Sequence, residues 1–414
     1  MQLTQKIRVF PTKEQEDILW HLSERCRLTY NFALSERIRT WKEQGRSISY
    51  TEQQNNLPEL KQQYPEYGWV YSKVLQMILR NLDADYKSFF SLWKKGHRDA
   101  RLPRYKGKKH FTTMTYNQSG FSIKNNKISL SHFYNNTPLL FDIPDKFKFD
   151  EVYQITIYND GNGFYLSIVY SVPEKTYEDN GLYQAIDLGV TKTVTAINMQ
   201  GRFFEVKNPR PDKYWNKRTD ALQSRRDHCK KDSNRWKRLH TTMNKCKRKC
   251  GNQIRDFEHK LSRKMISNTR ANTIIIGELD VKNMAQSNKT NSGLNRSTQN
   301  QGYLSRFAGF LTYKAKIVGK KIIEISEKKT SKTCYVCGKE HNMPIWKRYM
   351  VCDCGNNIDR DRNSSINIMY RFLSQNAKWT GYQQFVGNLR QTGLPIGNAL
   401  VGSPSLDIRQ MSDA

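Results

Sequence analysis

Four of the chain's eight cysteines fall between positions 334 and 354, as Cys334-x2-Cys337 and Cys352-x-Cys354, with Gly338 and Gly355 directly after the two pairs. Two close pairs of thiolates, each on a tight turn, form the donor set of a tetrahedral zinc site. Buried free thiols are the plainer alternative. Three acids stand out by context. Asp187 ends the apolar segment "AIDLG", Glu278 ends "IIIGELD", and Asp361 opens the helical segment "RNSSINIMYRF". Any one alone would usually be a cap or a turn residue. Together they put carboxylates at the ends of two buried strands and the start of a helix. An RNase H-like sheet gathers oxygen ligands this way for two Mg2+ ions about 4 Å apart across a scissile phosphate. Asp359, two residues earlier, is expected to pair with Arg360 or to cap the coming helix.

The elements that must position these groups follow from periodicity. "MQLTQKIRVF" alternates like a strand. Thr12 and Gln15 fit a capping box ahead of a helix carrying Ile18, Leu22 and Cys26 at helical spacing. A second helix runs through Val74, Ile78, Leu82, Tyr86, Phe89 and Trp93, and "HRDARLPRYKGKKH" after it is a basic stretch suited either to phosphate contact or to a solvated linker. From Phe121 to Val172 the period falls to two, with turns at Asn125-Asn126 and across 159–163, which predicts an antiparallel unit completed by the N-terminal strand. "PEKTYEDNG" reads as a linker. After Tyr183 the pattern becomes α/β, beginning with a hairpin that turns at Gly201. "ANTIIIGELD" and "KIIEIS" are short buried strands, "YLSRFAGFLTYKAKIVGK" is a helix ending near Gly319, and the polar 282–302 segment suggests a loop or lid. Beyond Leu373 periodicity fades and a disordered tail is expected.

Composition narrows the partners. The 414 residues hold 69 Lys+Arg against 38 Asp+Glu, a formal net charge of +31. Such a field concentrates polyanions, so nucleic acid leads, ahead of a membrane surface or a ribosomal-type scaffold. Residues 207–264 alone carry 20 Lys+Arg against 6 Asp+Glu, a net +14, with Trp215, Trp236 and Phe257 interleaved. This suggests a helical nucleic-acid channel wall rather than merely a solvated hairpin. No apolar run is long enough to span a bilayer, and the first residues lack the apolar core of a signal peptide. The clustered cysteines point to metal binding in a reducing compartment. Cys26, Cys229, Cys246 and Cys250 are scattered, and "CKRKC" is read as incidental.

Taken in order, "KIRVFPTKEQ", "LPRYKGKK", "AIDLGV", "HKLSRKMI", "IIIGELD", "LTYKAKIVGKK", "TSKTCYVCG" and "CDCGNNIDRDRNSSINI" resemble the TnpB family. These are insertion-sequence-encoded RNA-guided DNA endonucleases related to type V CRISPR effectors, and the resemblance runs from about residue 6 to 372. The family more often has Cys-x2-Cys in the second knuckle, and Asn-Ala-Ala where this chain has Asn363-Ser364-Ser365. The resemblance implies a multidomain α+β protein. A wedge-like β domain (1–10 and 113–180) would hold a helical recognition insert (11–112). A RuvC-like RNase H-fold nuclease domain (181–330 and 357–372) would be interrupted by a zinc ribbon (331–356) that engages target nucleic acid, with 373–414 as the tail. Carried over by residue, it implies Asp187, Glu278 and Asp361 as catalytic magnesium ligands. Cys334, Cys337, Cys352 and Cys354 would bind structural zinc. Guide RNA and double-stranded target DNA are the implied partners of a cytoplasmic monomer with one RNA. A nuclease-dead guided repressor, a transposase accessory protein and a CRISPR-associated miniature effector are the other readings.

Overall fold

The computed structural model describes residues 1–278, 303–344, 346–376 and 378–395, and the chain divides into two compact units at Pro173/Glu174. The expected loop or lid at 282–302 lies outside the described residues.

In the first unit, β1 (Gln2–Val9) pairs antiparallel with β7 (Phe164–Ser171), then come β6 (Val152–Asn159) and β2 (Met114–Asn117). A second sheet joins β3 (Phe121–Lys124), β4 (Lys127–Leu130) and β5 (Leu139–Asp142). The β3–β4 turn uses Asn125 and Asn126 at φ +50° and +57°, left-handed conformations that asparagine tolerates. Between β1 and β2 lie α1 (Lys13–Gln44), α2 (Tyr50–Asn55), α3 (Leu57–Gln63) and α4 (Ser72–Lys94). The capping box of α1 is present: Gln15 N–H donates to Thr12 Oγ1 at 3.2 Å and Thr12 N–H to Gln15 Oε1 at 3.1 Å. Ile18, Leu22 and Cys26 are buried with Val74, Ile78 and Leu82 of α4 against sheet residues Ile155, Ile157, Leu166 and Ile168. In α4 no residue after Leu82 is buried, so Phe90 and Trp93 stand in solvent beside the basic 94–109 segment.

The second unit is built on one five-stranded sheet. β8 (Tyr183–Asp187), β9 (Lys192–Asn198) and β10 (Phe203–Lys207) form an antiparallel meander, with Gly201 at φ +73° in the last turn. β11 (Thr273–Glu278) lies parallel to both β8 and β12 (Lys321–Ser326), giving the order β10-β9-β8-β11-β12. The central strands are apolar on both faces because both faces are covered. On one side Ile186, Val194, Ile274 and Ile276 meet α6 (Asn234–Asn268) and α7 (Tyr303–Ile317). On the other, Tyr183, Ala185, Ile197 and Ile275 meet α8 (Arg360–Gln375) and the cysteine-bearing segment.

Three expectations change. The stretch read as a linker is tied to the second unit: Tyr177 Oη meets Thr273 Oγ1 at 2.7 Å, and Asn180 Nδ2 donates to Arg270 O at 2.8 Å. In the basic hairpin of α5 (Pro211–Asp227) and α6, Trp215 and Trp236 stay near the surface, while Phe257 packs onto the core. The disordered tail is wrong for 379–391, which form α9 (Trp379–Gln391) with Phe385, Val386 and Leu389 buried. Gly381 and Gly387 dilute its sequence pattern. A Cβ on Gly381 would already touch Leu373 at 3.5 Å, so the small residue fits a close helix approach. Residues 396–414 lie outside the described residues.

Candidate functional site

The carboxylates lie at the edge where the parallel strands end. Asp187 closes β8, Glu278 closes β11, and α8 carries Asp361 in its first turn. Ser364 and Ser365 are buried, and Ser364 Oγ donates to Asp187 Oδ1 at 3.0 Å, so small residues at this point let the helix press against the strand. Ile366, Met369 and Leu373 anchor the helix, each fully buried. Burial, together with the charges of Glu327 and Asp361, holds the Asp187 carboxyl well above the usual carboxylate range.

Asp359 takes the other role expected for it. Its Oδ1 accepts from the N–H groups of Asp361 at 2.9 Å and Arg362 at 3.4 Å, capping α8. Its ion-pair partner is Lys192 at 3.0 Å rather than Arg360. Lys192 also meets Glu205 at 2.8 Å, and Arg362 holds Glu205 with two bonds of 3.0 Å. This framework surrounds the start of α8 without using Asp361, whose carboxylate is bound by Arg348.

Several participants were missed in the sequence. Glu327 follows β12 directly, and the strand-end rule that selected Glu278 would have found it. Burial and the charge of Glu278 push its carboxyl up to about 7. Asn363 Nδ2 donates to Thr330 O at 3.1 Å and Thr333 O at 2.7 Å, and Asn367 reaches the same two carbonyls at 2.8 and 2.7 Å. Spaced one helical turn apart, these two amides clamp the chain just before the first cysteine. Arg348 carried no local signal, because its partner is reached only through folding.

The four cysteines come together, all their sulfurs within 4.8 Å of one another. Cys334 and Cys354 lie 3.7 Å apart, Cys337 and Cys352 3.5 Å. Metal–sulfur bonds of about 2.3 Å place tetrahedral thiolates about 3.8 Å apart, so the donors fit zinc. Each pair sits on a turn closed by a left-handed glycine, Gly338 at φ +77° and Gly355 at +87°. Asn356 Nδ2 donates to Cys334 Sγ at 3.2 Å. The short Cys-x-Cys pair therefore delivers both thiols. Among the described residues no other set of three or more candidate ligands converges so tightly.

The chain is a mixed α/β protein with a Cas12-like fold and a cluster of four cysteines that could hold a metal ion. Its fold matches the protein in a Cas12f1–sgRNA–target DNA complex over 89% of this chain and 98% of that one, with a TM-score of 0.58 at 13% identity. Residues 305–368 match the family described as "Cas12f1-like, TNB domain", 167–288 match "Probable transposase" (OrfB_IS605), and 1–46 match its "Helix-turn-helix domain". In this chain that last segment is one strand and the single long helix α1. A Streptomyces pristinaespiralis protein provisionally named an RNA-guided DNA endonuclease is 27% identical over 387 residues, 90% of each chain. The TnpB-like protein L79 of Acanthamoeba polyphaga mimivirus is 31% identical over 140 residues, 33% of this chain and 26% of its own. The chain is thus similar to TnpB-like and OrfB_IS605 insertion-sequence proteins in both of its units.

Proposed function

We propose that this protein is an RNA-guided DNA endonuclease of an insertion sequence, cutting guide-matched double-stranded DNA by two-metal-ion hydrolysis and supporting maintenance of the element. The observation that supports the reading is that Asp187 and Glu278 end adjacent parallel strands at one edge of the sheet, with the first turn of the helix carrying Asp361 pressed against Asp187. The β10-β9-β8-β11-β12 order, antiparallel then parallel, is that expected of an RNase H-like (RuvC-type) domain. Bound Mg2+ would supply a polarised phosphate and an activated water. The chain's own part is to hold the acids: Ser364 orients Asp187, the Asp359 cap fixes the first turn of α8, and Arg348 neutralises Asp361.

The four thiols would hold zinc, stiffening the segment that presents Arg348. The net +14 of 207–264 and the basic 94–109 stretch beside exposed Phe90 and Trp93 suit a guide RNA and its DNA heteroduplex. The first unit would serve as wedge and recognition insert, the second as nuclease and zinc module, in a cytoplasmic monomer with one RNA. A nuclease-dead guided binder is disfavoured because every acid of the expected triad remains. The test is cleavage of matched duplex DNA by the purified protein with its co-purified RNA and Mg2+, with EDTA as the stop. Equal cutting without RNA would sink the guided part of the reading. Failure to cut any DNA with RNA and metal present would sink the nuclease part.

A further inference from the structure

The parallel register of β11 and β12 pairs Glu278 with Ser326 and Gly277 with Ile325. Two residues beyond Ile325, Glu327 returns to the face that carries Ile325, the face covered by α8. On β8, Ile186 pairs with Ile276, so Asp187 falls beside Gly277. The central strand therefore has no side chain between Asp187 on one neighbouring strand and Glu327 on the other. Glu327 uses that gap: a Cβ on Gly277 would lie 2.7 Å from Glu327 Oε2 and 3.1 Å from Ile368 Cδ1. The electrostatic neighbourhood runs the same way, with Asp187 sensing Glu327, and Glu327 sensing Glu278. Glu205 and Asp359, which frame the start of α8, each have a Lys or Arg partner, whereas no cation or hydrogen-bond donor among the described residues meets the Glu327 carboxylate. A half-buried acid facing Asp187 across a glycine, and left without a cation, fits a ligand.

We infer that Glu327 is a fourth metal-binding carboxylate of the nuclease centre, seated across Gly277 from Asp187 on the face covered by α8 and binding a divalent cation together with Asp187. The inference rests on the nuclease reading above and deepens it. A side chain at position 277 would push Glu327 out, so the glycine belongs to the same device.

The test is Mn2+ binding to the full RNA-loaded protein, followed by the spectroscopic signal of free Mn2+, with Glu327→Gln and Asp361→Asn beside wild type. Glu327→Gln is expected to weaken Mn2+ binding on the order of tenfold or more. Cleavage should fall in parallel and recover partly at high Mn2+, while the metal-free protein melts at or above the wild-type temperature. Wild-type Mn2+ affinity in Glu327→Gln overturns the inference. So does a metal-free melting temperature that drops with affinity unchanged, since that marks a structural role. If Glu327→Gln does not fold, Glu327→Asp, which keeps the charge but retracts it, must show the weakened binding, and wild-type affinity there overturns the inference equally. Loss of binding in Asp361→Asn alone sinks only the role of Glu327. Absence of Mn2+ binding in wild type sinks the nuclease reading itself.

Discussion

Phe385 measures how far α9 belongs to the fold. Its side chain is fully buried, its ring lies 5.6 Å from that of Tyr370 at 73°, and it shares a cluster with Tyr183, Met199 and Leu373. Phe385→Ala removes this ring from a closed site. The lost transfer energy and the cavity together are expected to cost about 3–5 kcal/mol. For a unit of this size each kcal/mol moves the melting temperature by about 2–4 °C, so a drop of roughly 6–20 °C follows. Differential scanning calorimetry of the full, zinc-loaded chain reads it in the transition of the second unit. Gln384→Ala, the exposed neighbour on the same helix, should stay within about 0.5 kcal/mol of wild type. A chain cut after Lys378 should fall further than Phe385→Ala, because Val386 and Leu389 leave with the ring. An unchanged transition in Phe385→Ala would refute the packing argument and restore the disordered tail.

Asp361→Ala should abolish cleavage with RNA and target binding retained. Asp359→Ala should still cut and lose about 1 kcal/mol through the α8 cap; equal inactivity of a folded, zinc-loaded Asp359→Ala would reverse the two roles. Elemental analysis should find about one zinc per chain, and Cys337→Ser should lower it and impair DNA cleavage more than RNA binding. A carboxyl held above its ordinary value keeps its proton in the folded state where the unfolded chain has lost it. Glu327 should therefore reduce stability as pH climbs from about 4.5 to about 7, by up to about 3 kcal/mol. Melting temperatures in magnesium-free buffer, taken as wild type minus Glu327→Gln, should fall across that window; a flat difference would remove the effect.

Much of this protein was legible from local pattern. Period-two runs, the Thr12 box, the Asn125-Asn126 turn, the cysteine pairs and the strand-end acids all act over a few residues, where side-chain chemistry and backbone preference decide alone. Capping by Asp359 was one of two local roles open to it for the same reason, the other being a pair with Arg360. The helix at 379–391 was not legible, because two glycines blur its stripe and only contact with Tyr183, Met199 and Leu373 makes it stable. The stretch after Pro173 read as a linker because its partners, Arg270 and Thr273, lie about 90 residues away in the chain.

By itself the sequence determined the kinds of groups present: four thiols for a soft metal, acids at strand ends, a surplus of cations, and the segments that would become strands and helices. Only the tertiary structure decided which of these meet. Glu327 joins Asp187 because β12 lies parallel to β11 and Gly277 leaves the space between them empty. Arg348 reaches Asp361, and Lys192 reaches Asp359, because the cysteine module and the β9 strand converge on one helix start. Such contacts depend on sheet order and register, which loop closure and core packing set over the whole unit rather than over any short window.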